Sequence, residues 1–178
     1  MAITVDTNIL IWGVRGVSTL GQESRIPVCR RLFEWLQERD EIVVLTADCV
    51  EEYLVGGNPD QISSELAILQ ERFIILDYNA TCWLKSADIR SDAAFMKEYK
   101  ETDPQKTRTC IKSDIRIVAT ALAHRVDKIY SDDKGVRAIA KRSGILVAGV
   151  PTIEEMLPDK KKAKNNPNPI RKLFDDIV

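Results

Sequence analysis

Five short apolar runs recur along the chain: ITV near the start, EIVVL at 41–45, FIIL at 73–76, KIYS at 128–131 and ILVAGV at 145–150. Most are rich in β-branched residues and almost unbroken by charge, the composition of strands buried on both faces. The segments between them carry helical patterns. Pro27 suits the first turn of a helix running through VCRRLFEWLQER, because its fixed φ and missing N–H cost nothing there. TADCVEEYLVGG reads as a helix capped by Thr46 and closed by Gly56 and Gly57, since a short hydroxyl satisfies first-turn N–H groups and glycine ends helices. Further helices are predicted over SSELAILQER, a long ATCWLKSADIRSDAAFMKEYK, SDIRIVATALAHRV and DKGVRAIAKRSG. Strands alternating with helices make a parallel sheet covered on both faces, a three-layer α/β/α sandwich of about five strands.

Two stretches depart from this alternation. KETDPQKTRTC, around 100–110, is polar and broken by proline, and is predicted to be a loop leading to a helix that opens at Ser113. PDKKKAKNNPNPIRKLFDDIV closes the chain with six Lys or Arg against three Asp. Such a composition reads as a flexible, solvated tail. The expected division is therefore a folded unit over 1–157 and a lysine-rich tail over 158–178.

The composition, 44% hydrophobic and 30% charged with a net charge of −1, is that of a globular protein without a basic field to advertise nucleic acid. Cys29, Cys49, Cys82 and Cys110 are scattered without a C-x-x-C pair, so buried reduced thiols are expected rather than a zinc knuckle or disulfide scaffold. No basic and apolar leader opens the chain, and no apolar run is long enough to span a bilayer, so no membrane association and a cytoplasmic location are expected. His124 is the single histidine and lies late in a helical pattern. That argues against Ser–His–Asp and Cys–His catalysis and against His-rich metal sites. The remaining candidates for chemistry are carboxylates.

Asp6 ends the first strand run, where ITVD meets the Thr7–Asn8 pair and a second apolar stretch. Asp6, Thr7 or Asn8 suits the cap of a following helix. A strand's C-terminal end is also where open α/β sheets place their ligands. Asp133 follows the fourth run in the same way, with Asp132 as its competitor; both also suit a turn before Gly135. Asp114 falls in the expected first turn after Ser113, where the helix dipole favours an acid. Glu52 lies in the helix after the second strand and could be a solvated neighbour of Glu51. If the first and fourth strands are neighbours, Asp6, Asp114, Asp133 and Glu52 converge. Four converging carboxylates repel and raise one another's pKa values unless a cation lies among them. Hard oxygen donors without histidine or thiolate favour Mg²⁺ or Mn²⁺.

VDTNILIW, TADCVEEYLVG, SDIRIVATAL and IYSDDKGVRAIA together resemble the four acidic blocks of the PIN-domain ribonucleases, most closely the VapC-type toxins of bacterial toxin–antitoxin pairs. The resemblance runs over roughly residues 1–150. Its blocks are D-x-N at Asp6 and Asn8, E-x-x-x-G at Glu52 and Gly56, D-x-x-I at Asp114 and Ile117, and [ST]-x-D at Ser131 and Asp133. Val118 stands where the family has alanine, and the stretch before Asp114 is longer than in compact toxins. The resemblance implies a PIN-like fold and metal-dependent hydrolysis of RNA without a covalent intermediate; the expected RNA is single-stranded or looped, because a shallow acidic crevice reaches a splayed backbone more easily than a duplex interior. It implies Asp6, Asp114 and Asp133 as metal ligands, with Glu52 as a further ligand or the group orienting water. Asn8 and Ser131 would hold the carboxylates in place, and an antitoxin protein and a homodimer are the partners to expect. Lys106, Arg108, Lys112, Arg116, Arg15, Arg25 and Arg30 are cationic candidates for RNA contacts. The competing functions are a haloacid-dehalogenase-like phosphohydrolase, which wants D-x-D where this chain has Asp6 and Asn8, and a catalytically silent PIN-fold binding module.

Overall fold

The five apolar runs form one all-parallel sheet in a computed structural model that describes residues 1–102 and 105–157. The strands are β1 (Ala2–Val5), β2 (Ile42–Thr46), β3 (Ile74–Leu76), β4 (Lys128–Tyr130) and β5 (Leu146–Ala148). They lie in the order β3-β2-β1-β4-β5, so β1 has β2 on one side and β4 on the other. The pleat sorts their side chains to two cores. Ile3, Val5, Leu45 and Tyr130 pack into one apolar cluster, and Val44 and Ile129 into the other. Helices supply the remainder of both clusters, which gives the expected α/β/α layering.

On the first face, α1 (Thr7–Leu10) runs directly into a π-helical turn, Ile11–Arg15, which lies against α2 (Arg25–Glu38). Gly13 permits that contact, because a Cβ there would stand 2.3 Å from the Phe33 ring. Leu32 and Leu36 of α2 are buried one turn apart, each contributing about 1.5–3 kcal/mol by leaving water. Next come α3 (Ala47–Val55) and α4 (Ile62–Arg72). Arg15 ties them together: its guanidinium donates to Tyr53 O and Glu65 Oε2, each at 2.6 Å, and lies 3.9 Å from the Tyr53 ring centre. It is a structural clamp.

The second face holds α5 (Ala80–Ser91), α6 (Ala93–Thr102), α7 (Arg108–Ala123) and α8 (Lys134–Arg142). Two expectations are corrected here. The long helix over 80–100 breaks at Asp92, whose carboxylate caps α6 by accepting from Phe95 N at 3.0 Å and binds Arg142 Nη2 at 2.7 Å. The helix expected from Ser113 begins five residues earlier, at Arg108, because Thr107 caps it by accepting from Cys110 N at 3.2 Å. The predicted loop over 100–110 shrinks accordingly. Cys29, Cys49 and Cys82 are buried free thiols as expected, whereas Cys110 is exposed on the first turn of α7. His124 ends α7, and its Nε2 stands 2.9 Å from Asp77 O. No helix among the described residues is long and apolar enough to cross a membrane. The tail expected over 158–178 lies outside the described residues.

Candidate active site

Because β1 and β4 are neighbours, the chain leaves the sheet to opposite faces at their C-terminal ends, the place where such sheets open a crevice. Val5 pairs with Tyr130, so Asp6 and Ser131 follow side by side, and Asp6 N donates to Tyr130 O at 3.1 Å. That register lets the Ser131 hydroxyl donate to Asp6 Oδ2. Asp6 Oδ1 accepts from Ile9 N at 3.0 Å, which makes Asp6 the cap of α1. The same Ser131 oxygen accepts from Asp133 N at 3.0 Å. Asp133 in turn caps α8, its Oδ1 accepting from Gly135 N at 2.6 Å and Val136 N at 3.1 Å. For Asp6 and Asp133 the capping role and the place in the crevice are thus one arrangement.

Asp114 enters from α7, in the second turn rather than the first, and is buried. Its Oδ2 accepts from the Tyr99 hydroxyl and stands 2.6 Å from Lys106 Nζ. Lys106 also reaches Asp133 Oδ1 at 2.8 Å, so one ammonium bridges two acids. Gly135 makes room for this meeting. A Cβ there would lie 2.3 Å from the Tyr99 hydroxyl, 2.4 Å from Lys106 Nζ and 2.6 Å from Asp114 Oδ2. Glu52 is more exposed and is held from both sides, Oε2 accepting from Thr7 and Oε1 from Ser113. Ser113 therefore links α7 to α3 instead of capping its own helix.

Asp132 faces elsewhere: it pairs with Arg25 and accepts from Val150 N at 3.1 Å. Asn8 is exposed on α1, while the hydrogen bonds to Asp6 come from Ser131 and from the helix backbone.

The electrostatics differ from acid to acid. Burial pushes the Asp6 carboxyl above its ordinary value, against the Ser131 and Ile9 hydrogen bonds, and the nearby Asp133 charge adds to the rise. Burial likewise raises Asp114 in spite of Lys106 and Tyr99. Burial acts upward on Asp133 too, but the Lys106 ammonium and the Val136 and Gly135 N–H groups override it and leave Asp133 low. Lys106 loses some charge stability to burial and regains more from its two acids, so its pKa is raised.

Sequence reasoning missed Asp48 and Tyr99. Asp48 is buried one turn before Glu52 on the same side of α3, and the i, i+4 spacing was the available signal. Its Oδ1 stands 2.8 Å from Arg116 Nε, while its buried Oδ2 has no hydrogen-bond partner. Burial raises its pKa to about 6, with Arg116 opposing and Glu51 and Glu52 reinforcing. Arg116 also lies 4.4 Å from the Tyr78 ring centre. Tyr99 had no local signal, because only the packing of α6 beside α7 brings it to Asp114.

Among the described residues, no three His, Cys, Asp or Glu side chains close tightly enough to form a metal cluster. The donor chemistry nonetheless fits a hard divalent cation. Asp114 and Asp133 already enclose a positive group, and the Cys29 and Cys49 thiols that feel the Asp6 charge are held protonated by burial, each pushed up to about 12.

No family model and no curated sequence matches the chain. Solved structures do. The chain is similar to the crystal structure of VapBC2 from Rickettsia felis bound to a DNA fragment from their promoter, with TM-score 0.57 and 16% identity over 84% of this chain and 98% of that one. It is similar to VapBC-1 from nontypeable Haemophilus influenzae with TM-score 0.54 and 15% identity, again over 84% and 98%. At such identities the likeness is one of fold: the five-stranded parallel sheet flanked by helices is the PIN-like architecture.

Proposed function

We propose that this chain is a divalent-metal-dependent ribonuclease and acts as the toxin of a toxin–antitoxin pair. The observation that carries the reading is the Lys106 ammonium held between Asp114 and Asp133, at the crevice where β1 and β4 end and where Ser131 links Asp133 to Asp6. The nuclease unit is assigned to residues 1–157, in the cytoplasm. Asp6, Asp114 and Asp133 would hold Mg²⁺ or Mn²⁺, directly or through water, with Glu52 completing the site. The metal, when bound, polarises a phosphoryl oxygen and lowers the pKa of an attacking water.

The chain's own groups do the rest. Ser131 and Ile9 N–H fix the Asp6 carboxylate in one orientation, and the Val136 and Gly135 N–H groups do so for Asp133. Glu52, braced by Thr7 and Ser113, is the group assigned to orient the water. Arg108, Lys112 and Arg116 recur every fourth residue along α7, so they share one side of the helix that carries Asp114. Arg108 and Lys112, both exposed, suit the backbone of a single-stranded or looped RNA, whose splayed phosphates reach surface cations more readily than a duplex does. The fold likeness to VapBC complexes supports a protein partner of antitoxin type.

The test is cleavage of a labelled, partly single-stranded RNA with Mg²⁺, Mn²⁺ or EDTA, comparing wild type with Asp114→Asn after circular dichroism has shown both to be folded. Metal-dependent cutting that leaves 5′-phosphate ends and disappears in the mutant is expected. Equal cutting by both proteins would reject the site. Turnover of a phosphomonoester without RNA cleavage would favour the dehalogenase-like reading. Silence from both, with no Mn²⁺ bound in calorimetry, would favour a binding module.

A further inference from the structure

Lys106 is an unusual neighbour for two acids assigned to a metal. It stands at 2.6 Å from Asp114 Oδ2 and 2.8 Å from Asp133 Oδ1, packed against Gly135, where a Cβ would come within 2.4 Å of Lys106 Nζ. Mg²⁺ sits at about 2.0–2.1 Å from its oxygen ligands and requires a near-octahedral shell. The ammonium and the metal therefore compete for the same two oxygens. Without any cation, Asp114 and Asp133 would repel across the crevice.

Lys106 is well suited to leave. It precedes Thr107, the cap of α7, and so belongs to neither a strand nor a helix. Its four-carbon stem is flexible and its charge is a point rather than a fork. Asp133 keeps its two backbone donors, and Asp114 keeps the Tyr99 hydroxyl, when Lys106 withdraws. The two carboxylates thus stay oriented while the cation between them is exchanged.

We propose that Lys106 is a built-in exchangeable cation: it holds Asp114 and Asp133 together in the metal-free protein and is displaced when the divalent ion binds. This rests on the metal-dependent reading above. Its consequence is that the chain regulates its own site, since metal must compete with an internal ligand. A site closed by the ammonium nine-tenths of the time would bind metal about tenfold more weakly than the open site.

Two measurements test it on the full chain. Calorimetric titration with Mn²⁺ alone compares wild type, Lys106→Met and Asp114→Asn. Binding to Lys106→Met about tenfold or more tighter than to wild type is expected, with Asp114→Asn losing it. Equal or weaker binding by a folded Lys106→Met, while wild type binds and Asp114→Asn does not, would overturn the exchange and leave the metal site standing. No binding by wild type or Lys106→Met would overturn both. The second measurement needs no mutant: acetylation of Lys106 in wild type, followed by mass spectrometry. Its side chain is only 10% exposed in the paired state, so labelling several-fold faster with saturating Mg²⁺ is expected. An unchanged rate with metal demonstrably bound would sink the proposal.

Discussion

The two halves of the crevice solve the same problem by different means. On the β1 side, Asp6 is buried with neutral partners: a serine hydroxyl and a helix N–H. Its charge is stabilised by dipoles alone, and burial leaves its pKa raised. On the β4 side, Asp133 shares a full positive charge with Asp114 and is left low, although Asp114, the more deeply buried of the two, is still raised. Oriented dipoles fix a carboxylate's direction, whereas a counter-ion determines whether two carboxylates can stay charged side by side. The first half holds one buried charge without a counter-ion, and the second sets two acids against one ammonium.

The largest expected effect breaks the second half. Lys106→Met should destabilise the metal-free protein by about 3 kcal/mol at neutral pH, because removing one partner of a buried pair leaves uncompensated charge. Urea unfolding would measure it. With the ammonium gone, Asp114 and Asp133 hold protons more tightly in the native than in the unfolded state. Stability should then fall as pH rises through their native pKa values, and the deficit should shrink in acid.

Asp48 supplies the next effect. The native state holds its proton up to about pH 6, whereas an unfolded aspartate releases it near pH 3.9. The native state binds more protons in that window, so unfolding free energy should fall by about 2 kcal/mol between pH 4 and pH 7 from this group. The difference in pH slope between wild type and Asp48→Asn isolates it; identical slopes would show that Asp48 is ordinary.

Asp6→Asn sharpens the comparison from the other side. Asparagine caps a helix as well as aspartate does, and it removes the buried charge. A gain of about 1 kcal/mol in metal-free protein is expected, read as a melting temperature about 2–4 °C higher, together with weaker Mn²⁺ binding. A loss of stability would mean that the dipoles around Asp6 more than offset its burial. Smallest of all, Asp132→Asn should leave Mn²⁺ binding unchanged and shift stability by less than about 1 kcal/mol, since its partner is a half-exposed Arg25.

Much of this site was legible before the fold was. Asp6 and the Asp132–Asp133 pair announce themselves because each follows an apolar strand run and precedes a helix, a local event written in nearby residues. Glu52 was separable from Glu51 by its spacing to Thr46 and Gly56, and it is Glu52 that Thr7 and Ser113 hold. The helix bearing Asp114 was recognised, but its start was misread: Thr107 offered the same kind of cap as Ser113, and a polar, proline-broken approach hid the extra turn. Asp132 and Asp133 could not be told apart, because adjacent residues share one composition and diverge only in what they meet. Lys106 was visible as a cation near the third block, with an RNA backbone as its imagined partner; Tyr99 was not visible at all.

The chain by itself determined the layers, the strand runs and the acids that close them, since strand burial, helix caps and their periodicities depend on neighbours a few residues away. Tertiary structure decided which charges meet. Lys106 stands 27 residues from Asp133 and is joined to it only across the niche at Gly135. Asp6 stands 125 residues from Ser131 and is joined to it only by the pairing of β1 with β4. Charge interaction depends on distance through space and on burial, and neither is written in the order of residues along the chain.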